Sequence, residues 1–220
     1  MLHQLLETLA SWCLHLVNDW GYWGVVILMA MESSIFPVPS EVVIPPAAIL
    51  AASQGSMTLT GVVLAGTFGS WLGSAITYGV ARALGRPFIE KFGKYFGASL
   101  AKLERAEHFM HRYESGGLFF ARLMPVLRHL ISIPAGIICM PFLKFSLLTT
   151  VGAAIWCAVL AWLGGKVGSR LRASGQDPLQ DAAALIDAVK HESHVIVAVV
   201  LGVALLYFLM LKLTAPRPSA

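Results

Sequence analysis

Two proline-broken stretches decide how this chain folds: MESSIFPVPSEVVIPPAAI at residues 31–49 and FFARLMPVLRHLISIPAGI at residues 119–137. Each is mostly apolar, contains at least two prolines and carries two charged side chains. Proline removes a helical hydrogen bond, and the residue before it prefers extended backbone. Each stretch therefore predicts two short helices joined by a turn. The residues expected to break the helices are Pro37, Pro39, Pro46, Pro125 and Pro134.

The composition around these stretches excludes a soluble protein. The 220 residues include 16 Lys and Arg against 12 Asp and Glu, and only 13% are charged, where soluble domains have about 25%. Hydrophobic residues reach 57%, and the mean hydropathy is +0.72. These values also exclude a disordered chain, and three cysteines in apolar stretches do not form a disulfide scaffold. A polytopic membrane protein remains.

Charge-free runs mark the helices expected to cross the bilayer. About 20 helical residues span the hydrocarbon core of roughly 30 Å. Three apolar runs approach or exceed this length, namely Thr58–Ala81, Phe145–Gly165 and Val195–Leu211. Three others are too short or interrupted by proline, and are typical of re-entrant helices, with amphipathic surface helices as the alternative. These are Trp20–Met31, Val42–Ala52 and Leu130–Leu143.

Small residues recur every fourth position on two of the expected spanning helices. Such stripes let helices pack closely in lipid. They consist of Gly61, Ala65, Gly69 and Gly73, and of Ala153, Cys157, Ala161 and Gly165.

An internal repeat relates the two proline-broken stretches. A shift of 88 residues aligns 37–50 with 125–138, and both copies contain Pro-x₈-Pro-Ala-x-Ile. A shift of 85 then aligns Trp71 with Trp156 and Gly79 with Gly164. Inverted repeats with discontinuous helices are the signature of secondary transporters, whereas chance matching of common membrane residues is the alternative. We expect an all-α polytopic membrane protein, built as an inverted repeat of two re-entrant helical hairpins plus spanning helices.

The chain is predicted to form one membrane domain, residues 1–220, with six parts. Its connector carries seven Lys and Arg against four Glu, which favours the cytoplasmic side. The parts are an N-terminal interfacial segment at 1–19, the first repeat at 20–81, an amphipathic connector at 82–114, the second repeat at 115–170, a polar loop at 171–194 and a C-terminal spanning helix at 195–213.

Four charges lie inside the proline-broken stretches, where each costs at least about 2.5–3.5 kcal/mol near a helix centre. Arginine presents a planar fork that matches phosphate, so Arg122 and Arg128 are predicted to bind one phosphate. Glu32 and Glu41 can take up protons, and are predicted to couple transport to proton exchange. The alternative is a pair of structural salt bridges that hold the hairpins together.

The histidines do not predict a metal site. His129 adjoins Arg128 and is a candidate proton relay, or else a polar interfacial group. The pair His191 and His194 is spaced three apart, whereas the zinc motif H-E-x-x-H needs four. Neither a nucleophile elbow nor a phosphate-binding loop is found. We therefore expect no cofactor, no nucleic-acid partner and no enzymatic activity.

The second stretch resembles the DedA family, whose members are also called SNARE-associated or VTT-domain proteins. Arg122, Pro125 and Arg128, followed by Pro134-Ala135-Gly136, are similar to the family signature R-x-x-P-x-x-R…P-A-G. Glu32 and Pro39-Ser40-Glu41 resemble its acidic pair, although some members have Pro-Gly-Asp there. The resemblance covers about residues 20–170 and includes Phe145, Gly152, Trp156, Gly164 and Gly168.

The resemblance implies two inverted re-entrant hairpins that face each other, and movement of lipids between leaflets driven by proton-motive force. Bacterial members include undecaprenyl phosphate translocases. The residues that match Glu32, Glu41, Arg122 and Arg128 are the family's functional residues. We therefore expect a multi-pass flippase in the bacterial inner (cytoplasmic) membrane, with undecaprenyl phosphate or a similar anionic lipid phosphate and protons as partners. Whether the chain forms a homo-oligomer stays open.

Other functions also stay open. Within transport, these are a phosphatidylethanolamine flippase, a non-selective phospholipid scramblase, and a proton–cation antiporter that uses Glu32 and Glu41 alone. A lipid phosphatase with His129 beside Arg128, and a scaffold with structural ion pairs, are alternatives from other classes.

Overall fold

The computed structural model describes residues 12–34, 40–92, 128, 131–174 and 202, and the regular elements of these ranges are helices. The all-α class is therefore confirmed for the described chain. Residues 1–11, most of the predicted connector, the predicted polar loop beyond residue 174 and nearly all of the predicted C-terminal spanning helix lie outside the described residues. The helices are α1 at residues 12–20, α2 at Tyr22–Glu32, α3 at Ser40–Gln54, α4 at Leu59–Phe92, α5 at Ser132–Ile137 and α6 at Phe142–Ser174.

Two of the helices are long and apolar enough to cross a membrane. They are the 26 residues of α4 from Leu59 to Leu84 and the 32 residues of α6 from Phe142 to Ala173. Helix α6 contains one span predicted from the charge-free runs, and α4 contains another except for its first residue, Thr58. Helix α4 continues to Phe92, so the first residues of the predicted connector extend this helix.

The other described helices are too short to span a bilayer. Helix α2 has 11 residues, α3 has 15 and α5 has 6, against the roughly 20 that a spanning helix needs. They lie where the short apolar runs were predicted. Between α1 and α2 the chain turns at Gly21, whose φ of 57° favours glycine.

One of the prolines predicted to break a helix, Pro46, lies inside a helix instead. Helix α3 runs through Pro45 and Pro46, and Gly164 of α6 packs closely against the backbone of Pro45. Pro134 is the third residue of α5. Proline is tolerated there because first-turn N–H groups have no partner within the helix. Pro37, Pro39 and Pro125 lie outside the described residues.

Glycines bring α2 and α4 into close contact. Gly61 faces the ring of Tyr22, Gly69 faces the backbone of Val26, and Gly73 faces the backbone of Ala30. Residue numbers rise together along this interface, so the two helices run parallel. The small-residue stripe predicted on α4 is therefore a packing surface.

In each half of the chain, a described short helix packs on the long helix of the other half. In the first half, Ala48 of α3 lies against Gly164 of α6. In the second half, Gly136 of α5 lies against Tyr78 and Ala81 of α4, the residues that precede and follow Gly79 in this part of the helix, whereas Gly79 itself points away from α5. The shift of 88 pairs Ala48 with Gly136, and the shift of 85 pairs Gly164 with Gly79. The sequence repeat is therefore matched by reciprocal packing.

The two long helices run antiparallel against each other. Gly66 of α4 lies against Cys157 of α6, and Tyr78 stacks on Phe145 with ring centroids 4.6 Å apart. A larger buried cluster joins α1, α2, α3, α4 and α6, while a smaller one gathers Tyr78, Phe145 and their neighbours around α5. The C-terminal end of α2 and the N-terminal end of α3 meet beside the pair formed by α4 and α6.

Candidate functional site

The candidate site forms where α2 ends and α3 begins. Glu32 is the last residue of α2, and Ser40 is the first residue of α3. Tyr22, at the start of α2, accepts a hydrogen bond of 2.8 Å from the backbone N–H of Thr58 and so aligns the beginnings of α2 and α4. Glu32 lies ten residues further along, about 15 Å at 1.5 Å per residue.

An ion pair between Glu32 and Arg128 is the centre of the site. Nη2 of Arg128 contacts Oε1 of Glu32, and the side chains are 8% and 0% exposed. Burial removes both charges from water, so breaking such a pair leaves an uncompensated buried charge. The structure thus brings together one predicted acid from the first stretch and one predicted arginine from the second.

The Glu32 carboxylate also occupies the N-terminus of α3. The backbone N–H of Ser40 donates to Oε1 at 3.0 Å, and the hydroxyl of Ser33 donates to Oε2 at 3.5 Å. Backbone N–H groups in the first turn of a helix have no partner within it, and the helix dipole favours an anion there. A guanidinium, a helix N-terminus and a hydroxyl therefore converge on one negative group.

Trp156 of α6 also contacts the site. Its indole Nε1 donates to the hydroxyl of Ser40 at 3.2 Å, and its ring centroid lies 5.9 Å from Cζ of Arg128. That distance is within the range of a cation–π interaction. Trp156 therefore contacts a residue from each proline-broken stretch.

The remaining predicted residues divide into two groups. Glu41 is described: it lies in the first turn of α3, partly buried, next to Ser40. Arg122 and His129 lie outside the described residues, so their roles stay predictions. Among the described residues there is no group of three His, Cys, Asp or Glu that could hold a metal ion.

Sequence reasoning missed the hydroxyls of the site. Ser33 contacts both Glu32 and Ser70 of α4, the latter with the two hydroxyl oxygens 2.9 Å apart. Serines in an apolar run change the hydropathy little and resemble ordinary turn residues. Their position could have identified them, because Ser33 and Ser40 lie at the two ends of the predicted turn. Trp156 carried a signal as well, because the repeat pairs it with Trp71.

Several known membrane proteins are similar in sequence to this chain. The family model of the VTT domain matches residues 38–166. The chain is 34% identical over 166 residues to undecaprenyl phosphate transporter A of Bacillus subtilis (strain 168), covering 76% of this chain and 79% of the relative. It is 29% identical to undecaprenyl phosphate transporter A of Staphylococcus aureus, covering 87% and 90%.

A third relative, from Lactococcus lactis subsp. lactis, is named alkaline phosphatase-like protein; it is 32% identical, and the match covers 89% of each chain. No solved structure matches the chain. The transporter names agree with the expectation that the chain is not an enzyme.

Proposed function

The chain belongs to the VTT-domain family of membrane proteins, also called DedA, and we propose that it is a proton-coupled flippase for undecaprenyl phosphate or a similar anionic lipid phosphate. The observation that carries the proposal is the position of the Glu32 carboxylate, between Arg128 and the N-terminus of α3. Two relatives named undecaprenyl phosphate transporter A support the choice of lipid.

The donors around Glu32 suit a phosphate group. An arginine fork binds two phosphate oxygens, and a helix N-terminus offers backbone N–H groups together with a favourable dipole. The hydroxyl of Ser33 adds a neutral donor. In this proposal, Glu32 is the internal anion that occupies the site when lipid is absent, and Arg122 of the same hairpin joins Arg128 on the phosphate.

Competition between Glu32 and the phosphate supplies the coupling to protons. When Glu32 takes up a proton it loses its charge, and its attraction for Arg128 falls. The guanidinium can then bind the lipid phosphate without leaving a second anion buried beside it. Release of that proton restores the ion pair and expels the phosphate. Glu41, one residue after Ser40, is proposed as the second exchanging acid.

The architecture proposed for this cycle is a pair of re-entrant hairpins related as an inverted repeat. Trp20 and Trp23 are exposed near the start of α2, as is typical of a membrane interface. From Tyr22, a 15 Å path along α2 reaches about half the hydrocarbon thickness. The reciprocal packing of Ala48 on Gly164 and of Gly136 on Tyr78 and Ala81 supports the inverted arrangement.

Only the headgroup needs a polar route in this scheme. The outer surfaces of α4 and α6 present apolar side chains such as Leu64, Leu143 and Leu147, which are all exposed. A prenyl or acyl chain would remain in the lipid beside them while the phosphate crosses. The proposed location is the cytoplasmic membrane, with several passes.

The test is translocation of a fluorescent lipid phosphate by purified protein in liposomes. Arg128→Ala should lower the rate at least about tenfold, because it removes a charge-assisted contact to the phosphate. Arg172→Ala is the matched control, since Arg172 is exposed near the end of α6, and it should behave as the parent protein. Normal translocation by Arg128→Ala would refute the proposal.

The same liposomes separate the alternatives. Equal movement of phosphatidylethanolamine without a pH gradient would indicate a scramblase, and cation flux that survives Arg128→Ala would indicate an antiporter. The name of the Lactococcus lactis relative makes lipid phosphatase activity worth measuring. Release of inorganic phosphate from the lipid would identify an enzyme.

A further inference from the structure

Buried hydroxyl side chains lie on both α4 and α6, away from the ion pair. Gly66 lies against Cys157, and Tyr78 stacks on Phe145, so the antiparallel register is defined at two points. Eight residues beyond Gly66 is Ser74, and eight before Cys157 is Thr149. These two residues therefore lie at the same level of the helix pair, and both are 0% exposed.

Thr149 is unusual among the buried hydroxyls. In the chain segments described, the buried side-chain oxygens without a hydrogen-bond partner are those of Thr149 and Ser146. Two threonines of α4 bond the carbonyl four residues earlier: Thr67 donates to Val63 at 2.7 Å and Thr77 to Gly73 at 3.0 Å. A hydroxyl left unpaired in an apolar interior is unfavourable, and valine would fill the same volume without that cost.

A line of hydroxyls connects this level to the carboxylate of Glu32. The hydroxyl of Ser33 lies 3.5 Å from Oε2 of Glu32 and 2.9 Å from the hydroxyl of Ser70. Ser74 follows Ser70 by one helical turn and lies at the same level of the helix pair as Thr149. Ser146 lies one turn before Thr149, towards the beginning of α6 at Phe142. We call the set Ser33, Ser70, Ser74, Thr149 and Ser146 the hydroxyl seam.

We infer that the hydroxyl seam is the route by which Glu32 exchanges its proton with the aqueous phase at the Phe142 end of α6. A hydroxyl both donates and accepts, so it can take a proton on one lone pair and release its own proton onward. Each hydroxyl ends neutral, and one proton has moved one step. Water molecules bound to the unpaired oxygens of Thr149 and Ser146 would bridge the gaps. The inference rests on the proposed function, because Glu32 is its end point.

Charged and titratable groups adjoin both ends of the seam. At the Glu32 end, Arg128 pairs with the carboxylate, Glu41 lies on α3, and the buried thiol of Cys157 lies on α6. At the other end, Arg82 donates to the Tyr78 hydroxyl at 3.1 Å, and Lys144 precedes Ser146 by two residues. Tyr78 itself donates to the carbonyl of Met140. Because the Tyr78 hydroxyl already accepts one hydrogen bond and donates another, it is not a member of the hydroxyl seam.

A proton suits the seam better than a phosphate. Ser74 and Thr149 are fully enclosed, and Gly66 packs directly on Cys157, so the interface has no room for a headgroup. The seam residues are neutral, whereas a buried phosphate needs compensating positive charge. Protons need only a continuous series of hydrogen bonds.

The experiment compares three threonine variants in liposomes that contain a pH-sensitive dye and a fluorescent prenyl phosphate. Thr149→Val removes the hydroxyl at constant volume, Thr149→Ser retains it, and Thr150→Val alters the exposed neighbour as a control. We expect Thr149→Val to lower lipid movement driven by a pH gradient, and the accompanying proton flux, at least about tenfold. Lipid exchange without a gradient should stay within about twofold of the parent rate, because the phosphate site is untouched and a Glu32 that keeps its proton lets the phosphate bind and leave in both directions. The other two variants should match the parent.

Stability provides an independent measurement. Because the Thr149 hydroxyl has no partner among the described residues, Thr149→Val should melt at or above the parent temperature. If Thr149→Val misfolds, Ser74→Ala is measured instead, and it should lower the proton flux in the same way.

An unchanged gradient response of Thr149→Val would overturn the relay and leave the proposed function standing. Equal loss of movement with and without a gradient would also overturn it, since the seam would then carry the headgroup or only support the fold. Failure of the parent protein to move any lipid phosphate would overturn the proposed function and the relay together.

Discussion

The indole N–H of Trp156 on α6 donates a hydrogen bond of 3.2 Å to the hydroxyl of Ser40, the first residue of α3. Trp156 belongs to the second half of the chain and Ser40 to the first, and the two are 116 residues apart. Because Ser40 also donates its backbone N–H to Glu32, this bond holds the N-terminus of α3 against the carboxylate. The geometry of the anion site therefore depends on a contact between the halves.

Replacing Trp156 with phenylalanine tests that contact. Trp156→Phe keeps an aromatic ring near Arg128 but removes the indole N–H, so the free energy of unfolding should fall by about 1 kcal/mol. A double-mutant cycle with Ser40→Ala should give a coupling energy of at least about 0.5 kcal/mol, because the two residues are in contact. Unfolding in mixed detergent micelles measures both values.

Trp162→Phe is the control for this cycle. Trp162 lies on the same helix, is 53% exposed, and has Lys166 above its ring. It should show no coupling to Ser40→Ala. Additive effects of Trp156→Phe and Ser40→Ala would contradict the contact.

Replacing Glu32 with glutamine tests whether the carboxylate stands in for a phosphate. Glu32→Gln leaves the Arg128 charge buried without its anion, which should destabilise the protein by about 3 kcal/mol. A short-chain prenyl phosphate should then raise the melting temperature more in the variant than in the parent, because it replaces the missing negative charge. Differential scanning fluorimetry with and without the ligand measures this difference.

Asp19→Asn removes one negative charge from an exposed residue of α1 and is the matched control. Its response to the ligand should equal that of the parent. A smaller ligand response in Glu32→Gln than in the parent would mean that the carboxylate helps to bind the lipid instead of competing with it.

The sequence predicted the site in part because charge in an apolar segment is a strong signal. Glu32 and Arg128 were found in this way, and the charge-free runs located α4 and α6. The partner of each charge was not predictable, since the pairing of the two stretches depends on tertiary packing of α3 on α6. Ser33 and Ser40 were missed because a serine carries little hydropathy signal. Arg122 and His129 stay predictions.

Exchanging the charges of the ion pair separates a plain salt bridge from an anion site. In the double variant Glu32→Arg and Arg128→Glu, a plain salt bridge would form again with reversed polarity. The structure predicts otherwise, because the backbone N–H of Ser40 and the dipole of α3 favour a negative group at residue 32. The double variant should therefore remain at least about 1 kcal/mol less stable than the parent and inactive in lipid translocation. Recovery of both properties would support the scaffold alternative.

Gly164 and Gly79 are equivalent in the repeat but differ in their surroundings, and this difference tests the packing between the halves. A side chain at Gly164 would collide with the backbone of Pro45 and with Ala48, whereas Gly79 has open space around it. Gly164→Val should cost about 2 kcal/mol or more, because neither α3 nor α6 can move apart without disturbing Trp156 and Ser40. Gly79→Val should be nearly neutral. Thermal unfolding of the two variants gives the comparison, and equal effects would mean that the contact between α3 and α6 does not position the site.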